Sequence, residues 1–251
     1  MRITLLGTAS ALPASHRRHA CVLLRDGATH LLIDAGEGAA VSLLEAGALD
    51  ALSDIWISHA HADHVSGLPM LLQALHVRKR TAPLTLHLPA GMRDWFEASL
   101  DGMFMFAQRR GYELVFEGIT ATPTLRGAVL VRPVANTHLD RIREVAMAHG
   151  RVAEAWSFVL GGDAGSCLVT ADIGGMDDVR NVLADVAVAV VDATHVSPEE
   201  LEDVAASHPG VRVIATHIGP ECEAEARGEI GRSRPFEWAV DGMTILIGEV
   251  E

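Results

Sequence analysis

Short apolar runs, cut by glycine-rich and polar turns, set the pattern of the first third of the chain. Residues 2–6 read as a strand and 7–13 as a loop of small residues. Apolar runs at 20–24 and 29–33 flank Asp26-Gly27, a hairpin signal because glycine accepts the positive φ of a tight turn. Asp34-Ala35-Gly36-Glu37-Gly38 ends the second run in a turn, and residues 39–46 are expected to be helical, with Gly47 as C-cap. A strand at 54–58 follows, then a helix from Gly67-Leu68-Pro69 with Leu71, Leu72 and Leu75 on one face, and a strand at 83–88. Residues 91–109 are expected to form an amphipathic helix that places Trp95, Phe96, Leu100, Phe104 and Phe106 in the core. Strands are expected at 112–117, 128–134, 156–160 and 167–171, with a mixed-charge helix over 139–150. That helix either buries Val145 and Met147 in the core, or covers a pocket or forms an interface.

The last third alternates: helices near 177–184, 198–206 and 221–228, and strands at 186–191, 211–216 and 243–249. Pro198 suits the first turn of its helix, where a missing N–H does no harm. Early hairpins followed by β/α alternation predict a layered α/β sandwich. The expected organisation is one domain over 1–251, built from two β-rich halves whose strands end in Asp or His.

One polar stretch interrupts this pattern. His59, His61, Asp63 and His64 fall within six residues, just after the apolar run Ile55-Trp56-Ile57. Imidazole and carboxylate suit Zn²⁺ and similar ions. His59 and His61 point the same way on extended backbone, whereas a helix would separate them. A turn after them brings Asp63 and His64 in from another direction, so alternate residues can serve one ion and the adjacent pair a second. Downstream, His138, Asp172 and His217 each follow an apolar strand, a common way to deliver a polar group to a site from a rigid scaffold.

Composition narrows the picture. No run approaches the ~20 apolar residues of a membrane helix, and the first seven residues are too short for a secretory leader, so a cytoplasmic chain is expected. Three scattered cysteines, Cys21, Cys167 and Cys222, fit core positions in a reducing compartment, with Cys222 flanking a possible site loop. A net charge of −13 repels polyanions and counts against a large nucleic-acid substrate. Arg17-Arg18 and Arg78-Lys79-Arg80 are the basic clusters, read as solvated charge.

The order His-x-His-x-Asp-His, a distant His, an Asp after a strand and a His after another resembles the metallo-β-lactamase superfamily. Leu6-Gly7-Thr8 with Ala11-Leu12-Pro13, Leu32 to Glu37, Gly67-Leu68-Pro69, Thr216-His217-Ile218 and Asp241-Gly242-Met243 resemble its ribonuclease Z-like branch. That branch includes tRNA 3′-processing endonucleases and cyclic-phosphate phosphodiesterases. The resemblance implies a four-layer αββα sandwich and two divalent ions, Zn²⁺ first, with Mn²⁺ or Fe²⁺ as alternatives. It implies His59, His61 and His138 on one ion, Asp63, His64 and His217 on the other, Asp172 bridging, and Asp34 orienting a ligand imidazole. Iron-oxygen members often carry Glu where this chain has His61.

Asp63 and His195 are the catalytic candidates that the resemblance implies, Asp63 to orient the attacking water and His195 to protonate the leaving oxygen. His195 precedes His217 by 22 positions (217 − 195), about one helix plus one strand. The long Gly/basic-rich arm of the tRNA-processing members is missing, and Ala62 stands where they carry Gly. The expected function is therefore hydrolysis of a small or cyclic phosphodiester, with no membrane partner; the resemblance implies a homodimer. The alternatives are a tRNA 3′ endonuclease, a lactonase or thioesterase, and a non-catalytic metal-binding accessory protein.

Overall fold

A computed structural model describes residues 1–162 and 165–248. Its strands are β1 (Arg2–Gly7), β2 (Cys21–Asp26), β3 (Thr29–Ile33), β4 (Asp54–Trp56), β5 (Leu84–Leu88), β6 (Leu114–Gly118) and β7 (Thr124–Arg126). They continue as β8 (Val129–Asn136), β9 (Ala155–Gly162), β10 (Gly165–Val169), β11 (Val188–Asp192), β12 (Arg212–Thr216), β13 (Glu237–Trp238) and β14 (Met243–Leu246). The helices are α1 (Ala39–Glu45), α2 (Ala62–Val65), α3 (Leu68–Val77), α4 (Met92–Gly102), α5 (Arg143–Ala148), α6 (Arg180–Leu183), α7 (Pro198–Ser207) and α8 (Pro220–Ala226).

Two seven-stranded sheets form, in the orders β14-β1-β2-β3-β4-β5-β6 and β13-β12-β11-β10-β9-β8-β7. Each begins with antiparallel hairpins and then turns parallel, at β3–β4 in the first and β10–β11 in the second. The two halves thus repeat one plan, with β14 returning to pair with β1.

Strand alternation sorts the core into layers. Leu31 and Ile33 face the other sheet, where they meet Val131, Phe158, Val190 and Ile214, while Leu32 faces Leu43, Leu71 and Phe96 on the helical side. In the second sheet Val188 and Val190 face inward, and Ala189 and Val191 pack against Leu183, Leu201 and Val204. Sequential apolar residues are therefore buried on both faces, which gives helix, sheet, sheet and helix in turn: the four-layer αββα sandwich. Each fully buried Leu, Ile or Val contributes about 1.5–3 kcal/mol. Among the described residues no helix is long and apolar enough to cross a membrane.

Several expectations shift. The helix expected over 91–109 stops at Gly102; Phe104 takes φ 61°, Met105 N–H donates to Leu100 O, and a short 3₁₀ turn follows at Ala107–Arg109. Phe104 is 78% exposed and Phe106 is also exposed, so neither joins the core. The segment 139–150 is a 3₁₀ turn followed by the short α5, whose Ala146 packs on Leu139, Ala153 and Ala155. Its Val145 and Met147 face solvent, Met147 being 67% exposed. Edge strands β7 and β13 were not expected: they have three and two residues, too short for an alternation to register. The last strand ends at Leu246; residue 249 of its expected range lies outside the described residues.

The basic clusters are also partly structural. Arg17 is buried, donating to Thr8 Oγ1, Ala239 O and Glu223 Oε2, and buried Arg80 donates to the carbonyls of Asp50, Leu52, Ala82 and Pro83. Their charges hold loops together and are not solvated. All three cysteines are buried and free.

Candidate metal centre

The strands β3, β4, β8, β10, β11 and β12 end at one rim, and every candidate side chain follows one of those ends. Backbone geometry turns them inward. Asp34, Ala171 and His217 have φ of 59°, 49° and 55°, three of the five non-glycine residues with positive φ among those described. Such conformations cost on the order of 1–3 kcal/mol each and collect at functional sites. The loop that carries the histidine motif fits because two glycines let backbones touch. A Cβ on Gly36 would lie 2.1 Å from Asp63 O, and one on Gly67 would lie 2.0 Å from Gly36 O.

His59 and His61 sit between β4 and α2, His61 on extended backbone, and α2 carries Asp63 and His64. Asp34 holds this group. Its Oδ1 accepts from Ser58 N (2.7 Å) and its Oδ2 from Ser58 Oγ (2.8 Å) and His64 Nδ1 (2.7 Å). Ser58 Oγ in turn accepts from His59 Nδ1 at 3.0 Å. Both imidazoles thus donate through Nδ1, which leaves Nε2 of each as the atom that takes a cation or a proton. The Nε2 atoms of His59 and His64 and the Oδ1 of Asp172 are buried and make no hydrogen bond, although His64 Nε2 and Asp172 Oδ1 are only 3.1 Å apart.

The C-terminal half supplies the opposing groups one strand at a time. His138 Nε2 is 3.2 Å from His61 Nδ1, and His217 Nε2 is 3.1 Å from Asp63 Oδ2. Asp172 lies between them. Its Oδ2 is 3.9 Å from His59 Nε2 and 3.7 Å from His138 Nε2, while its Oδ1 faces His64 Nε2 and lies 3.4 Å from His217 Nδ1. His59, His61, His138 and Asp172 form one group whose ligand atoms lie within 4.8 Å of one another, and Asp63, His64, Asp172 and His217 form a second. Ligands about 2.0–2.1 Å from a tetrahedral Zn²⁺ are about 3.3 Å apart. The observed spacings and the orphaned buried atoms fit a pair of divalent cations, and the N/O donor set suits Zn²⁺, Mn²⁺ or Fe²⁺.

Electrostatics agree. Burial pulls the His59 imidazole well below its usual pKa, with His64, His138 and His61 adding to the effect. Burial chiefly, with neighbouring histidines, brings His138 down to about 4 despite Asp172. Burial opposes protonation of His64 and His217 too, but Asp172, Asp34, Asp63 and Asp192 outweigh it. His64 is held well above the usual range and His217 is pushed up to about 9. There a proton takes the place a metal would fill, so metal binding displaces protons.

Asp192 was not singled out by its sequence position. It ends β11 as Asp34 follows β3, and that parallel was the available signal. Its Oδ2 accepts from His195 Nδ1 at 2.7 Å, and its Oδ1 lies 3.3 Å from His217 Nδ1. The bond to Asp192 raises the His195 pKa against partial burial. His195 is exposed at the rim, edge-on to His138 with ring centroids 4.7 Å apart and with Nδ1 4.0 Å from Asp172 Oδ2.

The αββα sandwich with this rim of His and Asp defines a metallo-β-lactamase-fold protein of the ribonuclease Z-like and phosphodiesterase branch. A family model described as "Anti-Pycsar protein Apyc1" matches residues 1–208, and the chain belongs to that family. Among curated relatives, ribonuclease Z of Halobacterium salinarum is 31% identical over 160 residues, 63% of this chain and 48% of that protein. Ribonuclease Z of Methanosarcina acetivorans is 38% identical over 98 residues, 39% of this chain and 32% of that protein. The chain thus spans about half, or less, of the length of these relatives. Human tRNase Z, short form, superposes with a TM-score of 0.73 at 20% identity, covering 98% of this chain and 99% of its own. A diphosphatase from the PhnP family gives 0.71 at 17% identity, covering 98% and 97%. The metallo-beta-lactamase fold protein YhfI of Bacillus subtilis gives 0.72 at 15% identity, covering 97% and 98%. At such identities the superpositions establish the fold.

Proposed function

We propose that this chain is a dinuclear metal-dependent hydrolase that cleaves a small or cyclic phosphodiester. The observation that carries this reading is Asp172, whose two carboxylate oxygens face separate ligand groups with His195 beside them. In this reading His59, His61 and His138 would hold one ion, Asp63, His64 and His217 would hold the other, and Asp172 would serve both; Zn²⁺ is the first choice. Two such ions supply hydroxide at neutral pH and neutralise charge that grows on phosphoryl oxygens.

The chain's own groups do the rest. Asp34 and Asp192 fix three of the ligand imidazoles through Nδ1: Asp34 holds His64 directly and His59 through Ser58, and Asp192 holds His217. Asp63, beside the bridging carboxylate, orients the water. His195 keeps its Nδ1 proton on Asp192, so Nε2 is the end that gives a proton to the departing oxygen. Residues 1–251 act in this reading as one unit, because both sheets contribute ligands.

A metal-loaded preparation should turn over bis-p-nitrophenyl phosphate and cyclic nucleotides in preference to lactones and thioesters. His195→Ala should lower the phosphodiester rate by about 10²–10⁴-fold. Ester hydrolysis without phosphodiester turnover would overturn the reading; an unchanged His195→Ala rate would remove the acid assignment. The ribonuclease Z relatives favour a second reading, a tRNA 3′ endonuclease, which the same phosphodiester chemistry serves and the charge of −13 opposes. Cleavage of a tRNA precursor in the same screen decides between them.

A further inference from the structure

The C-terminal half holds a third group of donors that the chemistry above does not use as one. Asp172, Asp192, His195 and His217 each offer one ligand atom, and these atoms lie within 4.8 Å of one another. The two carboxylates face the Nδ1 side of both rings. His195 Nδ1 is 2.7 Å from Asp192 Oδ2 and 4.0 Å from Asp172 Oδ2. His217 Nδ1 is 3.3 Å from Asp192 Oδ1 and 3.4 Å from Asp172 Oδ1. The rings are nearly parallel, with centroids 6.1 Å apart and planes 14° from each other. Asp172 Oδ1, buried and without a hydrogen bond, points into this group. Backbone N–H groups of Ile173, Thr194 and His195 fix the buried Asp192, so its oxygens keep their places. His195 is exposed and leaves a way in from solvent.

This group shares Asp172 and His217 with the second of the two groups above, but neither Asp63 nor His64. His217 has an atom for each side: Nε2 faces Asp63 Oδ2 at 3.1 Å, and Nδ1 faces Asp192. The donor set of nitrogen and oxygen suits the same ions as the main centre. Binding here has two costs. The Nδ1 protons that Asp192 otherwise accepts from His195 and His217 must leave for solvent. The bound charge would also stand close to the main centre, where like charges repel. The position therefore fills last.

We propose that Asp172, Asp192, His195 and His217 form a third, weaker cation position, filled when metal is in excess, and that its occupancy silences the enzyme. What is silenced rests on the phosphodiesterase reading; the binding rests on the donor group alone. When His195 gives Nδ1 to a cation it is a neutral ring with its one proton on Nε2. Neutral imidazole yields a proton far less readily than imidazolium. The leaving oxygen then departs without its acid.

Two measurements test it. Equilibrium dialysis of the chain against rising Zn²⁺, read by elemental analysis, should give two tight equivalents and one weaker one. Removing a group that only orients a ligand costs about 10–100-fold in metal affinity, so loss of a ligand should cost at least that. His195→Ala and His195→Gln should each weaken the third equivalent by that factor and keep the two tight ones. Hydrolysis of bis-p-nitrophenyl phosphate by wild type should rise with the first two equivalents and fall with the third. The residual rate of His195→Ala should rise and then hold. A third equivalent that is absent from wild type, or that survives both variants unchanged, overturns the position. A third equivalent that depends on His195 yet leaves the wild-type rate unchanged overturns the silencing. If wild type turns over no phosphodiester while the third equivalent depends on His195, the cation position stands and the phosphodiesterase reading fails.

Discussion

In the N-terminal half one loop after β4 carries His59, His61, Asp63 and His64, and Asp34 holds two of its imidazoles through Nδ1, one directly and one through Ser58. In the C-terminal half His138, Asp172, His195 and His217 come from four strand ends, and Asp192 is shared between His195 and His217. Both halves fix imidazoles with a buried carboxylate at a strand end. They differ in concentration: the first half commits a whole loop to the centre, and the second contributes single residues from a sheet that also builds the rim. Asp34 accepts three hydrogen bonds within the motif loop. Asp192 also accepts from Thr194 N and Ile173 N, so it organises two turns as well as two rings. The same device is thus a ligand clamp in one half and a junction in the other.

Asp172 joins the halves, and its loss should have the largest effect. Asp172→Ala should bind fewer than two ions per chain by elemental analysis and lose at least about 10²-fold in phosphodiester rate. Two fully retained ions would remove the bridge.

The paired carboxylates separate next. Asp34→Asn and Asp192→Asn should each cost about 10–100-fold in metal affinity or activity. Titration with a chelator should show Asp34→Asn weakening the ion beside His64, and Asp192→Asn weakening the same ion through His217. Only Asp192→Asn should also lower turnover of saturated enzyme, because only Asp192 holds His195. Identical profiles for the two variants would erase the distinction between clamp and junction.

Gly36→Ala tests the close approach that seats the motif loop. Its Cβ would lie 2.1 Å from Asp63 O, so the loop must move, at a cost of about 1–3 kcal/mol in unfolding free energy. Unchanged denaturant midpoint and metal content would show that the contact is dispensable.

The smallest effect is expected at a charge cluster that ties interior strands of the first sheet to an edge strand of the second. Asp54 Oδ1 lies 2.9 Å from His87 Nε2 and 3.1 Å from Arg126 Nε, joining β4 and β5 to β7. Burial works against the Asp54 carboxylate, but His87, Ser53 and Arg126 hold its pKa below the ordinary value. A depressed carboxylate stabilises the fold above its unfolded pKa of about 3.9 and loses that contribution as pH falls through the lower folded value. Asp54→Asn should cost about 0.5–1.5 kcal/mol at neutral pH, with the gap to wild type closing below about pH 4. A gap that stays constant well below that pH would show that the charge contributes nothing.

Legibility followed the same division. The motif His59 to His64 could be read because its ligands are close in sequence, and local backbone alone sets which of them share a face. His138, Asp172 and His217 could be read as strand-end residues, and the structure brings all of them to the motif. Asp192 could not be read as a holder of imidazoles, because its role depends on β11 lying beside β12 and on the turn that brings His195 back over it. Helical periodicity points Phe104 and Phe106 inward, and points Val145 and Met147 inward in one of two readings, yet all four face solvent: α4 stops early and α5 has only six residues, so periodicity had no helix to act through.

The sequence by itself determined a layered α/β sandwich, through early hairpins and later β/α alternation, with the αββα order implied by the family resemblance, and the donor types that a cation centre requires. Only the tertiary structure decided which oxygen of Asp172 faces which histidines, and which carboxylate holds which ring. The physical reason is range. Side-chain direction along a strand is a local property, whereas a 3 Å contact between residues a hundred positions apart exists only after two sheets have packed.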